Sequence, residues 1–239
     1  MKKFIAIVSA RGGSKGIKKK NLQKINKKPL IFYTLNTLVN SNIDEVIFSS
    51  DSDEIINEVK KFKLNIKIFK RPLYLADDKT ALTDVVKYTA HQFSKKYYKP
   101  DVVFQVAATC PFLKVITIND TIKKFKKNKN IECCVTLKRI EHEHPYRAKK
   151  ILKNGIFEPV IKNKNVEKFI SRQDLPLYYC TSGSLYARNY SLLMKFNNKD
   201  FCLGKKPHGI IVDDIESINI DRQVDLDFAR FIYKKLKFN

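Results

Sequence analysis

A basic glycine turn follows the first apolar stretch of the chain. Residues 4–10 run directly into "RGGSKGIKKKN", residues 11–21, which contains three of the seven glycines. Glycine permits a tight turn with exposed backbone N–H groups, here those of Gly12 and Gly13, and such groups form a cradle for an anion. Positive charge and short polar donors come from five further side chains: Arg11, Lys15, Lys20, Ser14 and Asn21. These residue types at this spacing predict a site for a phosphate chain.

Two common phosphate-binding motifs do not fit this turn. A Walker loop needs a glycine followed by Lys-Ser or Lys-Thr, and no glycine here precedes such a pair. The dinucleotide pattern G-x-G-x-x-G fails because Ser14 stands where its second glycine should be. The turn therefore indicates a different family of nucleotide-binding proteins.

Strand-like and helix-like stretches alternate on both sides of the turn, at the spacing of βαβ units. Strands are predicted at 4–10, 45–50, 66–69, 101–107 and 132–137, and helices at 30–39, 53–62, 83–93 and 118–125. Short apolar runs without alternation suit a parallel sheet that is covered on both faces. We therefore predict a doubly wound, mostly parallel α/β sheet, in which ligands bind at the carboxyl ends of the strands. Asp51, after the second strand, is interpreted as a cap of the next helix.

The pattern changes between about residues 142 and 190. Proline and glycine break this segment into short pieces, and "AKKILKNGIFEPVI" resembles a hairpin. We predict that 142–190 is an arm, inserted into a single domain of residues 1–239, that completes a substrate site or joins subunits; a simple surface excursion is the alternative. Beyond the arm, "HGIIVDD" is strand-like and an amphipathic helix is predicted over 224–238.

Composition narrows the class of protein. The 239 residues are 44% hydrophobic, which suits one folded domain, and 47 basic against 24 acidic residues give a net charge of +23. The lysines are spread along the whole chain, so we interpret them as solvated surface and predict no nucleic-acid partner. No stretch approaches the roughly 20 apolar residues of a membrane span, and no membrane partner is predicted. Five cysteines without a C-x-x-C pair indicate reduced thiols in a cytoplasmic protein.

The turn also carries a resemblance to a known family. "ARGGSKGIKKKN" resembles the signature A-R-G-G-S-K-G-x-x-x-K-N of the CMP-sialic acid synthetases, also called acylneuraminate cytidylyltransferases, with their legionaminic and pseudaminic acid relatives. Seven further segments are similar in the same order: "SSDSDEI", "KRPLYLADDKT", "ATCPFL", "HPYR", "SRQDLP", "SGSLY" and "SINIDRQVDL". The resemblance implies a Rossmann-like nucleotidyltransferase fold, a homodimer, and Mg²⁺-dependent attack of a sialic-acid-like sugar on the α-phosphate of CTP, which releases pyrophosphate.

The resemblance also implies roles for particular residues. The glycine turn, 11–15 with Lys20 and Asn21, would hold the triphosphate, with Arg71 beside the nucleotide. Sugar contacts would come from Gln105, Arg147, Arg172 and Tyr186. Asp221 and Asn219 would bind the metal, since residues two apart in an extended segment face the same way. Arg11, Lys15, Lys20 and Asp221 would carry the catalytic charges.

Several positions depart from the family pattern. Asn219 replaces a usual aspartate, Ala107 stands where a glutamine is usual, and Ser182 where an asparagine is usual. Gln105 lies two residues before Ala107 on the same face of its strand, so either Gln105 reaches the same region or the substrate differs. The sugar half of the site thus matches less well than the nucleotide half. A related nonulosonic acid, an inactive relative and a non-catalytic polyanion-binding protein remain as alternatives.

Overall fold

The computed structural model describes residues 2–13, 16–77, 79–162, 169 and 171–236. The strands are β1 (Phe4–Ala10), β2 (Lys24–Ile25), β3 (Lys28–Pro29), β4 (Glu45–Ser50), β5 (Lys67–Lys70), β6 (Val102–Ala107), β7 (Cys133–Arg139), β8 (Lys149–Ile151), β9 (Phe157–Pro159), β10 (Tyr179–Asn189) and β11 (His208–Ile211). The α-helices are α1 (Leu30–Val39), α2 (Asp53–Lys61), α3 (Leu82–Lys96), α4 (Val115–Lys127), α5 (Tyr190–Met194) and α6 (Gln223–Leu236). Short 3₁₀ helices lie at Lys20–Leu22, Leu73–Leu75, Pro145–Arg147, Lys153–Gly155 and Arg172–Asp174.

A seven-stranded sheet forms the centre of the fold, in the order β11-β7-β10-β6-β1-β4-β5. Neighbouring strands pair in parallel except at β10, which runs antiparallel to both β6 and β7. The predicted doubly wound, mostly parallel α/β sheet is confirmed. Because β1 is central, its carboxyl end opens onto the crevice beside β4 and β6, where the glycine turn begins.

Apolar residues bury both faces of the sheet. In β1, Phe4, Ala6 and Val8 pack in the cluster that includes residues of α1, α2 and α4. The alternate residues Ile5 and Ile7 pack in a second cluster with residues of α3 and α5. The strand is therefore apolar throughout, as a strand covered by helices on both faces must be.

The irregular segment ends earlier than the sequence predicts. Within the predicted arm, 142–190, the eleven residues 179–189 form β10, which lies between β6 and β7 in the sheet. Its pairing with β7 shifts between Thr181 and Tyr186, and Gly183 has a positive φ of 77°. This bulge interrupts the strand pattern in a polar stretch, so the sequence conceals the strand. The predicted hairpin is present as β8 and β9.

The described part of the chain holds no helix with the length and apolar character that crossing a membrane requires.

Candidate functional site

A cavity of about 440 Å³ lies at the carboxyl ends of β1 and β6. It is lined by residues from the glycine turn, the segment after β5, the start of α3, the β6–α4 turn and the segment before α6. Four of the residues predicted to bind nucleotide line it together with the predicted catalytic aspartate: Arg11, Lys20, Asn21, Arg71 and Asp221. Two other predicted residues, Ser14 and Lys15, lie outside the described residues. The topology thus gathers side chains from distant parts of the sequence into one basic crevice.

Gly16 fits the glycine turn closely against the segment before α6. A β-carbon built on Gly16 would lie 2.4 Å from the carbonyl oxygen of Asp221, closer than side-chain carbons come to such atoms. One side of this contact is rigid backbone, so it tolerates no side chain. Gly16 therefore brings the turn and Asp221 together.

Substituting Gly16 tests this contact. We expect Gly16→Ala to push the turn and the Asp221 backbone apart and to raise the Kd for CTP about tenfold or more, because overpacking is relieved by backbone shifts. Isothermal titration calorimetry measures the effect. Gly13→Ala is the matched comparison, since a β-carbon there meets no atom within 4 Å. An equal loss in both variants would contradict the role of the Gly16 contact.

Arg71 is buried beside the cavity and is held from two sides. Its backbone N–H donates to the carbonyl of Ser50 at 2.8 Å, and its Nη2 forms an ion pair with Asp51. Burial by itself would raise the pKa of Asp51, but the Arg71 hydrogen bond and backbone N–H groups, including that of Gly12, hold it below its usual value. The charged carboxylate therefore fixes both Arg71 and the glycine turn.

The prediction that Asp51 caps a helix is wrong. The N-cap of α2 is Ser52, whose Oγ accepts a hydrogen bond from the N–H of Ile55 at 3.4 Å. Asp51 instead accepts from the Gly12 N–H at 3.3 Å and from Arg71, a residue that sequence proximity does not bring near it. The functional neighbour of Asp51 comes from the end of the next strand, β5.

Three buried polar atoms have no hydrogen-bond partner in the described structure: Ser9 Oγ, Asn21 Oδ1 and Arg71 Nε. All three belong to residues that line the cavity. Leaving a buried donor or acceptor unpaired costs about 1–3 kcal/mol, so such atoms are rare unless something satisfies them. Unpaired polar atoms on three residues that line one cavity indicate a polar ligand.

Asp221 accepts hydrogen bonds on both carboxylate oxygens. Lys20 Nζ lies 2.8 Å from Oδ1, and Asn219 Nδ2 donates to Oδ2 at 3.0 Å. Asn219 is itself oriented by the β6–α4 turn, because its Oδ1 accepts from the Thr109 hydroxyl at 2.5 Å and from the Cys110 thiol at 3.7 Å. Burial, with a smaller contribution from Asp221, raises the pKa of Cys110 to about 12, so the thiol remains protonated.

This arrangement differs from the predicted pair of metal ligands. Asn219 and Asp221 do meet, but the amide oxygen of Asn219, its only metal-binding atom, faces Thr109 while its nitrogen faces Asp221. Over the described ranges, no three His, Cys, Asp or Glu side chains are grouped so that they could hold a metal ion. The donor set is thus one carboxylate, which suits a cation such as Mg²⁺ that keeps waters and takes its other ligands from substrate phosphates.

The predicted sugar-binding residues fall into three places. Gln105 and Tyr186 are direct neighbours on β6 and β10. Arg172 lines a second cavity, of about 1080 Å³, whose lining also includes Ser182 and Asn219, and it lies 3.3 Å from Glu141. Arg147 is exposed and lines neither cavity. Gln105 and Tyr186 are therefore neighbours. Arg172 lines the second cavity, which Asn219 also lines, and Arg147 lines neither cavity.

Sequence reasoning missed two contributors to this region. The carbonyl of Asp77 accepts from Arg11 Nη1 at 3.5 Å, and its carboxylate, which accepts from Thr80 and Lys79, orders the loop over the cavity. Asp77 lies within "KRPLYLADDKT", so that motif was the available signal. Arg188 is buried against Gln105, and nothing in the sequence around it distinguishes it from a surface arginine.

Comparison with known proteins shows to which family the chain belongs. Residues 5–237 match a family model described as "Cytidylyltransferase". A pseudaminic acid cytidylyltransferase of Campylobacter jejuni is 30% identical over 240 residues, 97% of each chain. A CMP-N,N'-diacetyllegionaminic acid synthase of the same species is 28% identical over 235 residues, 97% of this chain and 95% of the relative. The solved structure of a CMP:2-keto-3-deoxy-manno-octonic acid synthetase with CTP shares the fold, with a TM-score of 0.75 and 16% identity over 98% of this chain and 99% of the other. The chain therefore belongs to the cytidylyltransferase family and is a nucleotidyltransferase.

Proposed function

We propose that this protein joins the cytidylyl group of CTP to a nonulosonic acid of the sialic, legionaminic or pseudaminic acid class and releases pyrophosphate. The observation that carries the proposal is the basic cavity at the strand ends, where Lys20 is paired with Asp221 and three buried polar atoms lack partners among the described residues. Full-length relatives that are named for such sugars support the substrate class.

The nucleotide half of the proposal assigns the triphosphate to the glycine turn. Backbone N–H groups of Gly12 and Gly13, with Ser14 and Lys15, would cradle the phosphates, and Arg11 and Lys20 would neutralise the leaving pyrophosphate. Stabilising that developing charge is the main electrostatic demand of such a transfer. Asn21 and Arg71 would meet the nucleoside through the unpaired Oδ1 and Nε.

Arg71 gives a test of this half. We expect Arg71→Met to raise the KM for CTP by about a hundredfold, because it removes a buried charged donor and leaves Asp51 without its ionic partner. Steady-state kinetics at saturating sugar measure it. Lys70→Met, which removes an exposed neighbouring cation paired with Asp53, is the control and should change the KM by less than twofold. Equal effects would contradict a nucleotide contact by Arg71.

Asp221 would hold Mg²⁺ at the α-phosphate. The bound ion would supply Lewis-acid stabilisation of the reacting phosphoryl oxygens. Asn219 holds Asp221 in place through its amide nitrogen, and Lys20 shares the Asp221 carboxylate. The chain's own contribution is to fix the position of one carboxylate next to the phosphate-binding turn.

The sugar half of the proposal uses the paired residues Gln105 on β6 and Tyr186 on β10, with Arg172 and Arg147 from the irregular segment. Their task is to orient the anomeric hydroxyl for in-line attack on the α-phosphate. A cation near the sugar carboxylate suits such a substrate, and Arg172 and Arg147 are the candidates.

The five cysteines are free thiols, which agrees with action in the cytoplasm.

A homodimer belongs to the same proposal. The β8–β9 hairpin exposes Ile151, Ile156 and Phe157 at 77%, 62% and 63%, and apolar side chains in such a group favour a protein partner. We expect the protein to sediment as a dimer and Ile151→Asp/Phe157→Asp to convert it to a monomer. Ile116→Asp, an equally apolar exposed position on α4, should leave the dimer intact. A wild-type monomer would contradict the dimer.

Nucleotide selectivity tests the proposed function against its alternatives. Calorimetric titration with CTP, UTP, GTP and ATP should show that CTP binds most tightly. An inactive relative would bind CTP but form no product with any sugar. A polyanion-binding protein would show no preference for CTP and would bind nucleic acid with a steep dependence on salt, and this outcome would contradict the proposal.

A further inference from the structure

Arg188 is a buried cation in the middle of the sheet. It lies on β10, is 2% exposed, and its guanidinium stacks on the ring of Tyr186 with 4.8 Å between Cζ and the ring centroid. Its Nε and Nη2 donate to the carbonyls of Cys202 and Phe201 at 2.7 and 3.2 Å. Its Nη1 donates to Gln105 Oε1 at 3.0 Å. The side chain therefore connects the segment around residue 201 to β6.

This cation has no carboxylate partner among the residues that the structure describes. Its hydrogen bonds go to two backbone carbonyls and one amide oxygen. Desolvation lowers the pKa of Arg188, although the guanidinium remains charged. Apolar residues of similar volume often stabilise a fold better than a buried ion does, so stability alone does not explain an arginine here. The contact that it makes with Gln105 offers another reason.

Arg188 fixes which way the amide of Gln105 points. A guanidinium has donors only, so the amide oxygen of Gln105 must face it. The Thr83 hydroxyl lies 3.3 Å from the same oxygen and donates to it. The Gln105 nitrogen, with its two N–H groups, is therefore turned away from Arg188, and it has no hydrogen-bond partner among the described residues.

Gln105 does not itself line the cavity that we assign to the nucleotide, but residues close to it and to Thr83 do. Two residues further along β6, Ala107 lines that cavity, and so does Leu82, the neighbour of Thr83. Gln105 also faces Tyr186 across the β6–β10 pair. This end of β6 is one of the carboxyl strand ends at which ligands bind in such sheets, so a second substrate that reacts with CTP has a place there.

We infer that Arg188 is a positioning residue for sugar recognition: it holds Gln105 as an obligatory hydrogen-bond donor toward an acceptor oxygen of the sugar. The inference rests on the proposed function. It adds that Gln105 donates, and the sugar accepts, the hydrogen bond between them. A sugar that presents only a donor at this position would leave the buried amide unsatisfied and would be rejected.

The test compares substrate KM values for four variants, with the sugar that the wild type uses. Arg188→Met frees the amide to turn and should raise the sugar KM about tenfold while the KM for CTP changes less than twofold. Gln105→Leu should raise the sugar KM similarly, and Arg188→Met should add nothing further in that background. Lys87→Met is the matched control: its Nζ donates to the carbonyl of Phe196, shortly before the segment that Arg188 contacts, without touching Gln105, so neither KM should change.

Gln105→Glu keeps the test decisive if Arg188→Met does not fold. Its carboxylate would pair with Arg188 but offer only acceptors outward, so the sugar KM should rise about tenfold in a folded protein. The inference is overturned if Gln105→Glu uses sugar like the wild type, if Arg188→Met raises both KM values equally, or if it still raises the sugar KM in the Gln105→Leu background. A wild type that uses no nonulosonic acid overturns the proposed function, and the inference with it.

Discussion

Replacing Asp221 by asparagine is expected to lower kcat about a thousandfold or more, a loss of the size seen when one critical transition-state contact is removed. The substitution keeps the shape of the side chain and removes the carboxylate charge that we assign to Mg²⁺. It also removes the ionic partner of Lys20, whose Nζ lies 2.8 Å from Asp221 Oδ1. Both effects act on the charged atoms of the reaction and not on packing, since the Asp221 side chain is 63% exposed.

The effect of Asp221→Asn should be confined to the chemical step. The Kd for CTP without metal should stay within about threefold, because the phosphate-binding turn keeps its cations. Asp227→Asn is the matched control: it removes an exposed carboxylate on α6 that pairs with Arg230. Stopped-flow measurement of pyrophosphate release with 1–20 mM MgCl₂ gives kcat. A variant that keeps more than about a tenth of the wild-type kcat would contradict the metal-binding role of Asp221.

Replacing Lys20 by methionine is expected to lower kcat/KM for CTP by about two to three orders of magnitude. Lys20 lines the cavity that we assign to the nucleotide, and its side chain is only 17% exposed. A partly buried ammonium next to the phosphates stabilises the departing pyrophosphate more strongly than an exposed one, because water screens it less. Without it, Asp221 would face the triphosphate as an uncompensated negative charge.

The neighbouring lysine provides the control for Lys20→Met. Lys19 pairs with Glu54 at 2.6 Å, and its side chain is 54% exposed. Lys19→Met should change kcat/KM by less than about threefold, because an exposed ion pair contributes little. If the two variants lost the same activity, general positive charge on the turn would account for the effect, and the specific pairing of Lys20 with Asp221 would not.

Much of the fold could be predicted from the sequence, because local apolar patterns specify it. β1 and β4 have the bounds that the sequence predicts, and α1 begins directly after Pro29. These elements bury whole apolar stretches, so pattern and structure coincide. β10 could not be predicted in this way, because the bulge at Gly183 and its polar neighbours interrupt the alternation of an antiparallel strand.

The part of the site that a single segment supplies could be predicted from the sequence. The contacts between distant segments could not. The glycine turn brings its own charge and backbone donors, so its basic character is visible in the sequence. The orientation of Asn219 is set by Thr109, more than a hundred residues away, and the partner of Asp51 is Arg71. Such pairs depend on which strand ends are adjacent in the sheet, which local patterns do not specify.

Product formation tests the central claim most directly. Purified protein with Mg²⁺ and CTP would be given N-acetylneuraminic, legionaminic and pseudaminic acids separately, with pyrophosphate release and the mass of the product as readouts. We predict that at least one sugar yields its CMP-sugar and an equal amount of pyrophosphate. Pyrophosphate release that is the same without sugar, or no product with any of the three, would contradict the assignment of this protein as a CMP-nonulosonic acid synthetase.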